Sequence, residues 1–149
     1  MLKAKDIMTK NVITVTPATT LEDLARILID HNISGAPVAD DKGALLGIVT
    51  ENDLINKNKR LHIPTVMRLF DAYIMLESPA AIEKEIRQMA AVTVNDIFIK
   101  DVVTVSEETT VEDIATIMSE KKMYLIPVVT GGKIVGIIGK MDLIKGIAR

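Results

Sequence analysis

The stretch Gly47-Ile48-Val49-Thr50-Glu51-Asn52-Asp53 holds the residues best suited to chemistry: an apolar strand, a hydroxyl where it ends, and a carboxylate in the first turn of the helix that follows. The free amides and positive dipole end of such a helix receive an anion, to which Thr50 adds a hydroxyl. Asp53 repels phosphate but accepts hydrogen bonds from both hydroxyls of a ribose, the role of the acidic residue in dinucleotide-binding folds. Together they favour a nucleotide. The same four residues, Thr50 to Asp53, also read as a capping box that needs no ligand. A second stretch, Gly139-Lys140-Met141-Asp142, keeps the carboxylate without the hydroxyl. A box without its first member has no reciprocal reason to retain its last, which moves the balance towards ribose. A first-turn acid that merely suits the helix dipole is the alternative.

Other chemistries find little footing. The chain has no cysteine, and its two histidines, His31 and His62, lie far apart, which closes thiol and metal chemistry. No Ser/His/Asp set is visible, and Asp53 and Asp142 suit hydroxyl acceptance better than an acid/base pair, so an enzyme is not expected. Charged residues make up 26% of the chain and nearly cancel, leaving a formal net charge of −2. Such a balance favours neither nucleic acid nor an anionic membrane surface. Apolar runs such as Ala44 to Val49 and Ile134 to Ile138 are far shorter than the roughly twenty residues of a membrane helix. Met1 to Lys10 mixes Lys3, Lys5 and Asp6 and has no apolar stretch of a signal peptide, so a cytoplasmic location is expected.

The elements that must hold these motifs come in two copies. With Leu2 set over Val92, Asp6 meets Asp96, Lys10 meets Lys100 and Thr14-Val15 meets Thr104-Val105. Thr19-Thr20 meets Thr109-Thr110, Glu22-Asp23 meets Glu112-Asp113, and Pro37-Val38 meets Pro127-Val128. After one gap, Gly47-Ile48 falls on Gly136-Ile137 and Asp53-Leu54-Ile55 on Asp142-Leu143-Ile144. So many matches with one gap mark an internal repeat. The units span 2–55 and 92–149, joined by 56–91.

Each unit reads as strand, helix, strand, strand, helix. Val12 to Val15 and Val102 to Val105 are β-branched runs suited to strands. Thr19 or Thr20 can cap a helix whose Leu21, Leu24, Ala25 and Leu28 form one apolar stripe, repeated by Val111, Ile114, Ala115 and Met118. Asp40-Asp41-Lys42-Gly43 separates two apolar runs as a hairpin turn. One such unit leaves much apolar surface uncovered at this size, so two copies are expected to pack together. The connector has apolar residues of its own, including Val66, Met67, Leu69 and Phe70, and a helix is expected over about Ala80 to Ala90. It is expected to pack on the pair or on a second chain.

Two units with Pro37-Val38 or Pro127-Val128 after the first helix, then Gly-apolar-apolar-(Thr or Gly)-x-x-Asp, resemble the CBS domain family, whose paired motifs form a Bateman module. The likeness covers nearly all of both repeats. It implies an α+β fold of tandem CBS motifs packed as a pseudo-twofold pair, with clefts that bind an adenosine ligand: AMP, ADP, ATP or S-adenosylmethionine. By residue match, the family's threonine and aspartate contacts fall on Thr50, Asp53 and Asp142, while Gly139 departs from the pattern. Adenine needs a flat apolar slot and backbone groups to read its edge, which the segments 33–37 and 123–127 can supply, each proline holding the preceding backbone extended. Ile33, Val38, Met123 and Val128 read as core. The candidate nucleotide-binding set is Thr16, Gly35, Ala36, Pro37, Thr50, Asp53, Leu125, Ile126, Pro127, Lys140 and Asp142. Lys57, Lys59, Arg60 and His62 are either a solvated face or a phosphate contact for a partner chain.

The resemblance implies a regulatory module whose motifs shift on ligand binding, and neither catalysis, cofactor nor metal is expected. With no catalytic, channel or DNA-binding segment in the chain, its signal is expected to pass to a separate protein target. Apolar surface and the family's habit of forming disc-like pairs point to a homodimer. A structural or protein-interaction module with vacant sites is the competing expectation.

Overall fold

The computed structural model describes residues 1–56 and 92–149; the expectations for the connector, including Lys57, Lys59, Arg60 and His62, lie outside the described residues. The first copy contains α1 (Ala4–Ile7), α2 (Leu21–His31), β1 (Gly35–Ala39), β2 (Leu45–Thr50) and α3, helical over residues 51–56. The second opens with a 3₁₀ turn, Val94–Asp96, followed by α4 (Val111–Lys121), β3 (Leu125–Thr130), β4 (Lys133–Gly139) and α5 (Lys140–Ala148). It is a mixed helix and strand fold built twice. β1 pairs with β2, and β3 with β4.

The helices α2 and α4 start where a hydroxyl can replace the missing intrahelical partner of a first-turn amide. Thr20 Oγ1 accepts from the Asp23 amide at 3.1 Å, and Thr110 Oγ1 from the Asp113 amide at 3.2 Å. Thr19 instead accepts the Thr16 amide at 3.1 Å, in the turn before the helix. Leu21, Leu24 and Leu28 are buried along α2, and Val111, Ile114 and Met118 along α4, at the spacing the stripe predicts. Both α2 and α4 stop at a left-handed residue, Asn32 at φ 51° and Lys122 at φ 52°.

The hairpin turns follow their polar residues. Asp40 Oδ1 accepts from the amides of Lys42 and Ala44, both at 2.9 Å, and Gly43 takes φ 85°. β3 and β4 run antiparallel from Leu125 opposite Gly139 to Thr130 opposite Lys133, with an irregularity between Val128 and Val129. Pro127 faces Ile137. It is tolerated there because Ile137 exchanges both its backbone bonds with Thr9 on the other side, at 2.8 and 3.0 Å.

The first β-branched runs are shorter as strands than their composition suggests. Val15 and Val105 are each a single bridge residue. Val105 pairs in parallel with Val128, its amide donating to Pro127 O at 3.1 Å and its carbonyl accepting from Val129 N at 2.9 Å. Extending the ladder back towards Val103 would require an N–H at Pro127, which proline lacks, so the pairing does not reach into the residues before Val105.

By contacts the chain forms two compact units, Met1–Thr14 with Pro37–Ile48 and Ile99–Arg149, and Val15–Ala36 with Val49–Phe98. These units cut across the sequence repeats because each repeat lends its leading segment to the other. In the first unit, Lys3 bridges Thr110, and the Ala4 amide donates to Thr109 O at 2.7 Å. In the second, the equivalent Thr93 bridges Thr20, and the Val94 amide donates to Thr19 O at 2.8 Å. The exchange is reciprocal. Ala44 and Lys133, equivalent positions of the two hairpins, also pair antiparallel within the first unit.

The first unit buries Ala4, Ile7, Val105, Val111, Ile114, Met118, Ile126, Val128 and Ile138 in one core. Full burial of an aliphatic side chain of this size is worth about 1.5–3 kcal/mol, so Ile7 gives the leading segment real purchase on the second repeat. In the second unit Val15, Leu21, Leu24, Leu28, Ala36, Val49 and Val94 are buried. No helix among the described residues is long and apolar enough to cross a membrane.

Candidate functional site

In the second unit, the end of β2 and the start of α3 form the first corner. The Thr50 amide donates to Asp53 Oδ2 at 2.9 Å and the Thr50 hydroxyl reaches the same oxygen at 3.2 Å. Asp53 is therefore a box carboxylate, and both bonds fall on one of its two oxygens. The Glu51 amide donates to Ser34 O at 2.8 Å, which fastens this turn to the residue just before β1. Gly35 and Ala36 follow immediately, both buried, so what they can offer a ligand is backbone. Thr16 is exposed and its amide and hydroxyl engage Thr19. Pro37, fully buried, falls in the first unit.

The second corner lies in the first unit, where Leu125 begins β3 directly opposite Gly139 at the end of β4. The Gly139 amide donates to Asp142 Oδ2 at 2.8 Å. The carboxylate thus keeps its backward reach without a hydroxyl at the cap, because the bond it makes is to the backbone. Loss of the cap hydroxyl does not free the aspartate from a structural task. Its other oxygen, Oδ1, accepts from Thr9 Oγ1 at 3.4 Å. Leu125 is half-buried at this corner, while Ile126 and Pro127 are fully buried, Ile126 within the core of the unit. Val38 and Val128 are fully buried and Ile33 and Met123 half-buried.

Lys140 does not simply extend into solvent. Its ammonium lies over the ring of Tyr124, 4.5 Å from the centroid, an attraction between a cation and the ring's negative face. Tyr124, 46% exposed, lies at this corner and was not among the sequence candidates. The repeat contained a signal for it, since Tyr124 stands over Ser34 in the alignment. Ser106 is a second omission. It matches Thr16 and makes the same turn, its amide donating to Thr109 Oγ1 at 3.1 Å. Thr9 is a third, and its match in the other copy is Ile99, so no local pattern marks it.

The corners can each do the same thing. Each has a carboxylate in the first turn of a helix with one oxygen held by a backbone amide, which leaves acceptor capacity on the other. Such a carboxylate can accept hydrogen bonds from a diol. Among the described residues, no group of acidic or histidine side chains is arranged to hold a metal ion.

A mixed helix and strand unit built twice, with an aspartate in the first turn of each second helix, defines a tandem-motif module. The chain belongs to the CBS domain family, which matches residues 4–60 and 94–149. It is 29% identical to the uncharacterized protein MJ1426 of Methanocaldococcus jannaschii over 153 residues, 96% of this chain and 89% of that protein. It is 27% identical to the chloroplastic CBS domain-containing protein CBSX2 of Arabidopsis thaliana, covering 94% of this chain but only 61% of that protein. The crystal structure of CBSX2 in complex with AMP superposes with a TM-score of 0.75 at 24% identity, covering 99% of this chain and 97% of that one. The CBS domain pair of protein MJ0100, in complex with 5′-methylthioadenosine and S-adenosylmethionine, superposes with a TM-score of 0.76 at 25% identity, covering 99% and 97%.

Proposed function

We propose that this chain is a regulatory module that binds an adenosine ligand at the two corners and passes its ligand state to a separate protein. The observation that carries the reading is the matched geometry of Asp53 and Asp142, each spending Oδ2 on the backbone amide three residues earlier. The second oxygen, which at Asp142 also accepts the long bond from Thr9, then serves ribose hydroxyls, while the backbone of 33–37 and 123–127 reads adenine. Relatives support the choice of adenosine: CBSX2 was crystallised with AMP, and the MJ0100 pair with 5′-methylthioadenosine and S-adenosylmethionine. Those ligands share adenine and ribose and differ beyond them.

In this reading the motifs are 2–55 and 92–149, residues 56–91 connect them, the module is not an enzyme, and it works as a homodimer in the cytoplasm. The test is calorimetric titration of unfolded and refolded, ligand-free protein with AMP, ATP and S-adenosylmethionine. Saturable binding of at least one, weakened by Asp53→Ala, is expected. No binding of any of the three would leave an interaction module with vacant sites and overturn the proposal.

A further inference from the structure

The two corners carry opposite charges at one equivalent position. Glu51 follows Thr50 where Lys140 follows Gly139, and Ser34 stands where the second copy has Tyr124. These positions adjoin in both copies: the Glu51 amide is bonded to Ser34 O at 2.8 Å, and the Lys140 ammonium rests 4.5 Å from the Tyr124 ring centroid. From this we infer that the corners take different classes of adenosine ligand. The second takes a nucleotide bearing 5′-phosphate, and the first an adenosine whose 5′ end is neutral or cationic.

The inference rests on the adenosine reading above and concerns only what lies beyond the ribose. At the first corner Asp53 and Glu51 are both acids, so a phosphate meets two negative charges. At the second, the ammonium of Lys140 offsets Asp142, and the tyrosine ring keeps that ammonium near the strand start instead of letting it sweep the solvent. A ribose diol is neutral and indifferent to the difference. The 5′ substituent is not, because Coulomb energy between unit charges a few ångströms apart at a protein surface is large enough to separate ligands by about tenfold. Because Glu51 and Lys140 are exposed, such discrimination weakens as salt rises. Like-charge repulsion at the first corner does as much of the sorting as attraction at the second.

The experiment uses the full chain with one corner disabled at a time, Asp53→Ala to isolate the second and Asp142→Ala to isolate the first. Asp53→Asn and Asp142→Asn, which retain an acceptor for the backbone amide, serve if an alanine variant does not fold. Adenosine, AMP and S-adenosylmethionine, whose sulfonium end is net positive, are titrated calorimetrically at low salt. With the second corner alone, AMP should bind about tenfold tighter than adenosine, and Lys140→Glu should abolish that preference. With the first alone, AMP should bind no tighter than adenosine, S-adenosylmethionine should bind tightest, and Glu51→Lys should reverse the order. The same AMP-to-adenosine ratio at both corners, or a ratio unmoved by the charge swaps, overturns the sorting but leaves adenosine binding standing. Failure of the unmutated protein to bind any of the three overturns both.

Discussion

The Thr9 hydroxyl donates to Asp142 Oδ1 at 3.4 Å across 133 residues of sequence. In the first copy the hydroxyl beside the matching aspartate comes from Thr50, three residues away, at 3.2 Å from Asp53 Oδ2. One corner is thus completed locally and the other by the leading segment of the opposite repeat. The bond from Thr9 is long and exposed, so it orients Asp142 without holding it strongly.

Asp53 serves both the fold and the proposed ligand, and two substitutions separate the roles. Asp53→Ala removes the acceptor for the Thr50 amide and should cost on the order of 1 kcal/mol in a denaturant melt. Asp53→Asn keeps an acceptor oxygen and should recover most of that loss. Adenosine affinity should fall roughly ten- to a hundredfold in both, about 1.5–3 kcal/mol, because a charge-assisted contact to ribose is lost. An asparagine variant that binds like the unmutated chain would refute the charged role.

Gly139 is replaceable. A Cβ there would meet Leu125 Cδ1 and Asp142 Oδ2 at 3.8 Å, ordinary contact, and the residue has an extended backbone at φ −104°. Gly139→Thr should therefore rebuild the first copy's box in the second. Stability should rise by a few tenths of a kcal/mol, about what separates glycine from threonine or serine at a cap. Affinity at the corner isolated by Asp53→Ala should rise by roughly threefold, the yield of one modest hydrogen bond. A loss of stability would show that the space is not open.

The exchange of leading segments is tested at Gly146, where a Cβ would lie 2.8 Å from Ile7 Cγ2. Alanine is the better helix former by about 1 kcal/mol, but overpacking costs about 1–3 kcal/mol, so the clash should win. We expect Gly146→Ala to lower stability by about 1 kcal/mol, and to cost nothing further in an Ile7→Ala background. Equal effects in both backgrounds would show that Ile7 is not the neighbour felt by Gly146.

Glu108 anchors the same segment from the surface. Hydrogen bonds from Lys3 and then Lys5, with the attraction of both ammonium groups, lower its pKa from 4.5 to about 2. A carboxyl depressed in the folded state stabilises above its unfolded pKa and loses that contribution as pH falls through the folded value. The stability difference between the unmutated chain and Glu108→Gln should therefore be constant near neutrality and shrink between about pH 4.5 and 2. Lys5 is shifted the other way, raised from 10.5 chiefly by its hydrogen bond to Glu108, so its share is lost only as pH rises through that higher value. Because these groups are exposed, added salt should diminish the difference at every pH.

Much of the architecture is local information and was legible as such. The stripe at Leu21, Leu24 and Leu28, the hydroxyl before it, the Asp40–Gly43 turn and their second copies follow from periodicity, capping and turn chemistry, each settled within a few residues. The spacing of Thr50 and Asp53 likewise allows a box, since an N3 carboxylate can reach back to its cap amide. The shortness of the strand at Val105 was not legible from composition, because it depends on a bond that Pro127, distant in sequence, cannot make.

What the sequence by itself determined is that two like units exist, each with a carboxylate one turn into its second helix. Which surroundings each carboxylate has was decided only by tertiary structure. Thr9 matches an isoleucine in its sister repeat and reaches Asp142 because Thr9 and Ile137 exchange backbone bonds. Tyr124 and Lys140, unremarkable apart, meet because Leu125 and Gly139 lie opposite in the hairpin. Both depend on strand register, which joins residues far apart in the chain, and periodicity within one segment says nothing about the partner another segment will bring.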